Sequence, residues 1–252
     1  MMTSQKMLEV TNQILSYGTR QITYQLRVMP RKRLRIVVAP DMSVRADAPD
    51  AFSEVEILDA IQSKAPWIAR QLDAMMEFHP LPSPHRYLSG ETFMYLGRQY
   101  RLRVDQGVPV AAKLRGRFLH VAVAEKTDAS SVRKAIDAWF RERADDVFKR
   151  YLDRCMLIAS RHGVREPTVT IRSMRTRWGS CSPSGRITLN LNLIQTPVHC
   201  VEYVVMHELC HMVHHNHSKP FYRLLTRCMP DWARRKTVLD QVVISGEGRL
   251  TL

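Results

Sequence analysis

Residues 207–217 read His207-Glu208-Leu209-Cys210-His211-Met212-Val213-His214-His215-Asn216-His217. No other stretch constrains the fold as tightly. Histidines four apart meet only on a helix, where they stand one turn above the other on a single face. Two imidazoles so placed converge on one small metal ion, and Zn²⁺ favours such nitrogen ligands in an open site. Glu208 lies about 100° further round the helix. There it misses the ion and still reaches a water beside it, the general-base position of zinc hydrolases. His217 cannot share that face, because six residues rotate the chain by roughly 600°, or about 240° net. The helix must therefore end between His211 and His217 and the chain must turn back.

Asn216 suits that turn, since Asn tolerates the left-handed conformation that closes helices. Ser218 and Pro220 read as the cap and first turn of a new helix. Thr196-Pro197 reads as an N-cap followed by Pro at the first position of the histidine helix. Val201, Val205, Leu209 and Met212 form a separate apolar stripe, leaving the histidines on another face. His217 is the best third ligand. Asp231 and Asp240 are the other downstream options, and Glu247 sits in a Gly-flanked tail poorly suited to a rigid ligand. His214 and His215 read as exposed or supporting residues, and Cys210 as a small buried one. The competing reading is a His-rich helix end on a basic surface.

The chain has 252 residues, 45% hydrophobic and 25% charged, enough for one large domain or two small ones with real cores. Its formal net charge is +14, carried mostly by scattered arginines. Such a field favours acidic partners, nucleic acid or nucleotides among them, or serves solubility alone. The five cysteines show no C-x-x-C pair and read as free thiols of a reducing compartment. No apolar run reaches the roughly 18 residues of a membrane span. The start, Met1 to Tyr17, lacks a signal-peptide core. A cytoplasmic enzyme without a membrane partner is the expectation.

Residues 1–18 read as a loose start. Strands are expected over 22–28, 34–38 and 42–46. A helix from Ser53 to Glu77 follows, with Ser53 and Glu56 in capping-box spacing and Pro66 kinking or breaking it. After a proline-rich connector, His79 to Pro84, come hairpins over 92–104 and 110–123. Ser130 and Ser131 open a long helix to about His162, ended by Gly163. Strands are expected at 169–172 and, from strict alternation, at 187–193. No internal repeat is visible. A boundary near residue 125 divides a β-rich N-terminal region with one helix (19–125) from a metal-site domain (126–245), with a tail at 246–252.

Arg175-Thr176-Arg177-Trp178-Gly179-Ser180-Cys181, Arg186-Ile187-Thr188-Leu189-Asn190, Tyr203 to His211 and Asn216-His217-Ser218 occur in that order. So do Ser89-Gly90-Glu91 and Tyr95-Leu96-Gly97-Arg98-Gln99-Tyr100. In these segments the chain resembles the YgjP-like metallopeptidase family, relatives of the SprT-like and WLM-like zincins, over roughly residues 20–240. The resemblance implies an α+β, zincin-like catalytic domain, its active-site helix packed on a small sheet after a β-rich N-terminal region. It implies His207, His211 and His217 as zinc ligands and Glu208 as base. Position 210 is often alanine in the family and is cysteine here. A nucleotide pyrophosphatase activity on UTP has also been attributed to the family.

The Arg175–Cys181 segment has its own chemistry. A strand at a cleft edge holds an extended polypeptide by main-chain bonds. Arg175 and Arg177 suit a carboxylate, a phosphate or an oxyanion. Trp178 is either a pocket wall or a core anchor. Three functions follow. The first is a zinc-dependent hydrolase, a metallopeptidase acting on polypeptide. The second is a metal-dependent nucleoside triphosphate (UTP) pyrophosphatase, although the chain has no Walker-type loop. The third is a non-catalytic nucleic-acid-binding zinc module.

Overall fold

The computed structural model describes residues 10–39, 41–76, 83–174, 176–244 and 248–249. The chain forms two compact units, Met1–Pro82 and Ser83–Leu252. The fold is α+β.

In the first unit, β1 (Val10–Tyr17), β2 (Arg20–Met29), β3 (Arg35–Val38) and β4 (Val44–Pro49) form a sheet in the order β1-β2-β4-β3. The first eight of these residues, expected to be loose, thus pair with β2. Alternation sends Ile22, Tyr24, Val44, Ala46 and Ala48 to one face. They pack there with Ile57, Ile61, Ala65, Ile68 and Ala69 of two helices, α1 (Glu54–Gln62) and α2 (Ala65–Met76). Ser53 caps α1 in a capping box with Glu56, as the spacing predicts. The break falls at Ser63-Lys64, which leaves Pro66 in the first turn of α2, where its missing N–H costs nothing.

The second unit opens with β5 (Thr92–Tyr95), β6 (Arg98–Gln106), β7 (Val110–Arg115) and β8 (Phe118–Val123), in the order β5-β6-β8-β7. Its pairings run antiparallel, parallel, antiparallel. The first sheet has the same sequence of pairings. The topology therefore repeats where the residues do not.

A 31-residue helix, α3 (Ala129–Ala159), lies against this second sheet. Asp128, not Ser130 or Ser131, caps it, accepting from both serine N–H groups. A 3₁₀ turn and the left-handed Gly163 end it. Phe93, Leu102, Leu119 and Val121 of the sheet share one apolar cluster with Ile136, Trp139 and Phe148 of α3. The expected boundary near residue 125 thus falls inside one core, and the units divide at Pro82/Ser83 instead.

A three-stranded sheet, β9 (Thr168–Arg172), β10 (Gly179–Cys181) and β11 (Arg186–Asn190), follows in the order β10-β11-β9. The chain then enters a 3₁₀ turn at Leu191–Gln195 rather than extending the strand to 193. Three helices complete the unit: α4 (Val198–His211), α5 (Lys219–Cys228) and α6 (Trp232–Asp240). A two-residue ladder, β12 (Val243–Ile244) with β13 (Gly248–Arg249), comes last. The first residue of the expected tail and Glu247 lie outside the described residues. No described helix is long and apolar enough to cross a membrane.

The hairpin turn between β5 and β6 positions α4. Leu96 and Gly97 both have positive φ, 48° and 76°. Their N–H groups donate to Ile194 O at 2.9 Å and Gln195 O at 3.2 Å. A Cβ on Gly97 would lie 2.9 Å from Pro197 Cα, so only glycine permits this approach. Pro197 is itself the N-cap of α4, and Thr196 instead hydrogen-bonds back to Leu193 O at 2.9 Å.

Candidate active site

Helix α4 is buried along almost its whole length, with Cys200, Val201 and every residue from Tyr203 to Cys210 inside. It packs on α3, β10, α5 and α6. Glu202 near its middle meets Arg235 of α6 at 2.5 Å, and Arg235 also holds Asp231 at 2.9 Å. The helix ends at His211. Asn216 does not take the left-handed conformation expected of it, which among described non-glycine residues occurs only at Met42, Tyr87 and Leu96. The chain turns instead through a tapering helix end, where His214 N–H donates to Cys210 O at 3.0 Å. Ser218 then stands at the N-cap position of α5 without a side-chain capping bond, and Pro220 lies in the first turn.

This turn brings the three expected histidines together. The Nε2 atoms of His207, His211 and His217 lie 3.2, 3.1 and 3.0 Å from one another. Three nitrogens about 2.0–2.1 Å from one ion at near-tetrahedral angles stand about 3.3 Å apart, so the triad has the size of a metal site. His211 Nδ1 lies 2.9 Å from His214 O. A carbonyl only accepts, so Nδ1 carries the proton and Nε2 turns its lone pair inward. That lone pair points at the other two Nε2 atoms, as a metal ligand's would. His207 Nδ1 is buried without a partner among the described residues.

Phe221 of α5, fully buried, underlies all three imidazoles. Its ring centroid lies 5.0 Å from His207, 4.5 Å from His211 and 5.0 Å from His217. Sequence reasoning passed over this residue, because His217 precedes the helix that carries Phe221 and no helical spacing links the two. Burial, then the neighbouring His211 and His217, push the His207 imidazole down to about 3. Burial also lowers His211. Both are therefore neutral, as metal ligands must be.

Glu208 is 2% exposed. Burial pushes its carboxyl up to about 8, while Arg177 acts in the opposite direction. Its Oε2 has no partner among the described residues. Its side chain lies against Gly179 of β10. A cleft of about 410 Å³ opens over these groups, lined by His207, Glu208, His211, His215 and His217 on one side. On the other side are Thr176, Arg177, Gly179, Ser180 and Cys181. Cys181 lines the cleft as a thiol pushed up to about 11 by burial, then by Glu208.

Arg177 is exposed on the cleft wall. Trp178 does not line the cleft. It is 1% exposed within the apolar cluster, because alternation sends it inward beside the outward Arg177. Arg175 lies outside the described residues. The segment carrying Arg177 is held by Asn190, which is fully buried. Asn190 Nδ2 donates to Met174 O at 2.7 Å and Arg177 O at 2.8 Å. Asp231 and Asp240, the other third-ligand options, pair with Arg235 and Lys236. Among the described residues one group of His, Cys, Asp and Glu has the spacing to hold a metal ion, and it is the three histidines.

No curated protein sequence matches the chain. Among solved structures, the crystal structure of the metallopeptidase zymogen of Pyrococcus abyssi abylysin is similar at 23% identity and a TM-score of 0.35. That match covers 41% of this chain and 98% of that one. The family model described as YgjP-like, metallopeptidase domain, matches residues 32–242, and the chain therefore belongs to the YgjP-like metallopeptidase family.

Proposed function

We propose that the chain is a zinc-dependent peptidase whose ion is held by His207, His211 and His217 and whose general base is Glu208. The observation that carries this reading is the approach of three Nε2 atoms to within 3.0–3.2 Å beside a buried carboxylate on an open cleft. When bound, Zn²⁺ supplies Lewis acidity, making water easier to deprotonate and a carbonyl easier to attack. Glu208 takes the proton from the attacking water and returns it to the leaving amine. Arg177 offers charge-assisted donors to the developing oxyanion.

Polypeptide is favoured over nucleotide by the far wall of the cleft. Among the described residues β10 is an edge strand with β11 as its one sheet neighbour, the arrangement by which an extended substrate adds to a sheet.

The test compares parent and Glu208→Gln for metal content, hydrolysis of an unfolded protein, and pyrophosphate release from UTP. We expect about one zinc per chain in both proteins, and proteolysis in the parent reduced at least about a hundredfold in the variant. Pyrophosphate release abolished by the same substitution, without proteolysis in the parent, replaces the peptidase by the nucleotide reading. Stoichiometric metal absent from chelator-free protein overturns both.

A further inference from the structure

The four-stranded sheet of the first unit has a second face that neither α1 nor α2 covers. Alternation places Thr23, Gln25 and Arg27 of β2 there, with Arg45 and Asp47 of β4 and Arg35 of β3. The register sets Arg27, Asp47 and Arg35 in one cross-strand row. The connection from β2 to β3 adds Arg31, Lys32 and Arg33 at the same edge. Three cations thus meet one carboxylate, Asp47, and three more, Lys32, Arg33 and Arg35, lie in or beside the same connection.

That carboxylate is already overcommitted. Asp47, its side chain 4% exposed, lies 2.8 Å from Arg27, 3.4 Å from Arg45 and 3.7 Å from Arg31. One carboxylate cannot satisfy three guanidinium groups, each with five donors. Arg31 Nε and Arg45 Nε are left buried and without a hydrogen-bond acceptor. An unpaired buried donor is costly, and more so on a charged group. Lys32, Arg33 and Arg35 are exposed and make no ion pair among the described residues. These two donors are packed beside Asp47, and the exposed Lys32, Arg33 and Arg35 carry the charge of this edge to its surface.

We propose that this sheet face binds the phosphate backbone of a duplex nucleic acid without reading its sequence. Phosphate oxygens accept two parallel bonds from a guanidinium, and Arg33 and Arg35 are exposed and unpaired among the described residues. A polyanion with closely spaced charges also matches a patch of six cations better than a single small anion does. Among its described strand residues this face carries no aromatic side chain. It therefore lacks the stacking platforms by which sheets hold unpaired bases. The assignment is independent of the hydrolytic reading of the histidine site.

The test is fluorescence anisotropy of the full chain with labelled duplexes of about 20 base pairs and two unrelated sequences, from about 50 to 300 mM salt. A triple variant, Lys32→Glu, Arg33→Glu and Arg35→Glu, removes exposed charges that do not touch Asp47, so the packed arginines stay in place. A control triple, Lys126→Glu, Arg161→Glu and Arg165→Glu, changes net charge equally at exposed positions of the second unit.

We expect the parent to bind both duplexes alike, with log K falling linearly against log salt. The slope should shrink by about 2–3 in the first triple, near 0.9 per lost phosphate contact, and affinity at low salt should fall at least about tenfold. The control triple should keep most of both. Equal losses in the two triples, no duplex binding at about 50 mM salt, or a loss confined to anionic phospholipid vesicles overturns the assignment. A neutral triple, Lys32→Gln, Arg33→Gln and Arg35→Gln, should show the same ordering at reduced size if charge reversal disturbs the fold.

Discussion

A methyl group built on Gly179 would stand 2.5 Å from Oε1 of Glu208 and 2.9 Å from its Cδ and Cγ. The backbone of β10 and the carboxylate of α4 are thus in contact, and nothing larger than hydrogen fits between them. Gly179→Ala should displace the carboxylate while leaving the histidines in place. We expect zinc content unchanged, kcat lower by about a hundredfold or more, and KM little altered. Glu208→Asp in the same background, one methylene shorter, should recover part of that loss if displacement is its cause. An alanine variant with parental kcat would show that the contact yields without consequence.

The three imidazoles are graded in exposure, from the buried His207 through the half-buried His211 to the exposed His217. His217→Ala should cost at least about a hundredfold in zinc affinity, beyond the range of losses from supporting residues. Its thermal unfolding should match that of the metal-free parent. His207→Ala should also lower metal-free stability, since it opens a space against Phe221 and Tyr203. Isothermal titration with zinc and thermal melts of metal-free protein separate the two. Tight zinc binding in His217→Ala would exclude that residue as a ligand.

Stability of the metal-free protein should depend on pH in a way these two neighbours dictate. Glu208 titrates at about 8 when folded against an ordinary 4.5, so the folded state keeps a proton that the unfolded state loses. Its contribution is full below about 4.5 and disappears as pH rises through 8. His207 is lowered from 6.5 to about 3, so its contribution is full above 6.5 and disappears as pH falls through 3. Between about 4.5 and 6.5 the two slopes oppose each other. Urea midpoints should therefore fall from pH 6.5 to 8, by on the order of 1–2 kcal/mol from Glu208. Glu208→Gln should remove this alkaline decline and leave the acid limb. An unchanged decline in that variant would assign it to other groups.

Asn190→Ala should reveal how the Arg177 segment is held. The substitution leaves Met174 O and Arg177 O without their donor, at about 2–4 kcal/mol for the pair. Proteolytic nicking near residues 174–177 should rise as the segment loosens, and kcat should fall while zinc affinity is kept. Unaltered urea midpoints would mean that water replaces both bonds.

Much of this arrangement was legible in the residues. Spacing fixed the helix under His207 and His211, and the need for a turn before His217 followed from helical geometry alone. The capping box at Ser53 and the stop at Gly163 were equally local. What escaped reading depended on competition or on distance. Leu189 to Leu193 alternates as a strand should, yet Asn190 takes the N–H of Asn192 at 3.1 Å and starts a 3₁₀ turn. Trp178 beside two arginines gave no local sign of which way it faced. The shared core of Leu119 and Ile136 lies across the apparent composition change near residue 125, so a boundary drawn by composition cut through it. The repeated sheet topology carries no repeated residues, because any apolar side chain of suitable size satisfies the alternation.

The contact of Gly97 with Pro197 joins positions a hundred residues apart in the chain, and this sets an order on biosynthesis. Within the second unit the β5–β8 sheet leaves the ribosome first, with Phe93, Leu102 and Val121 still lacking the surface that will cover them. Helix α3 can close over that face soon afterward. The hairpin turn must wait longer for Ile194 and Gln195, its hydrogen-bond partners. The histidine helix docks only when that turn is already formed. Nascent chains that stall before residue 194 therefore hold a formed hairpin turn without its partners, and the histidine helix arrives late, with only α5 and α6 still to close on it.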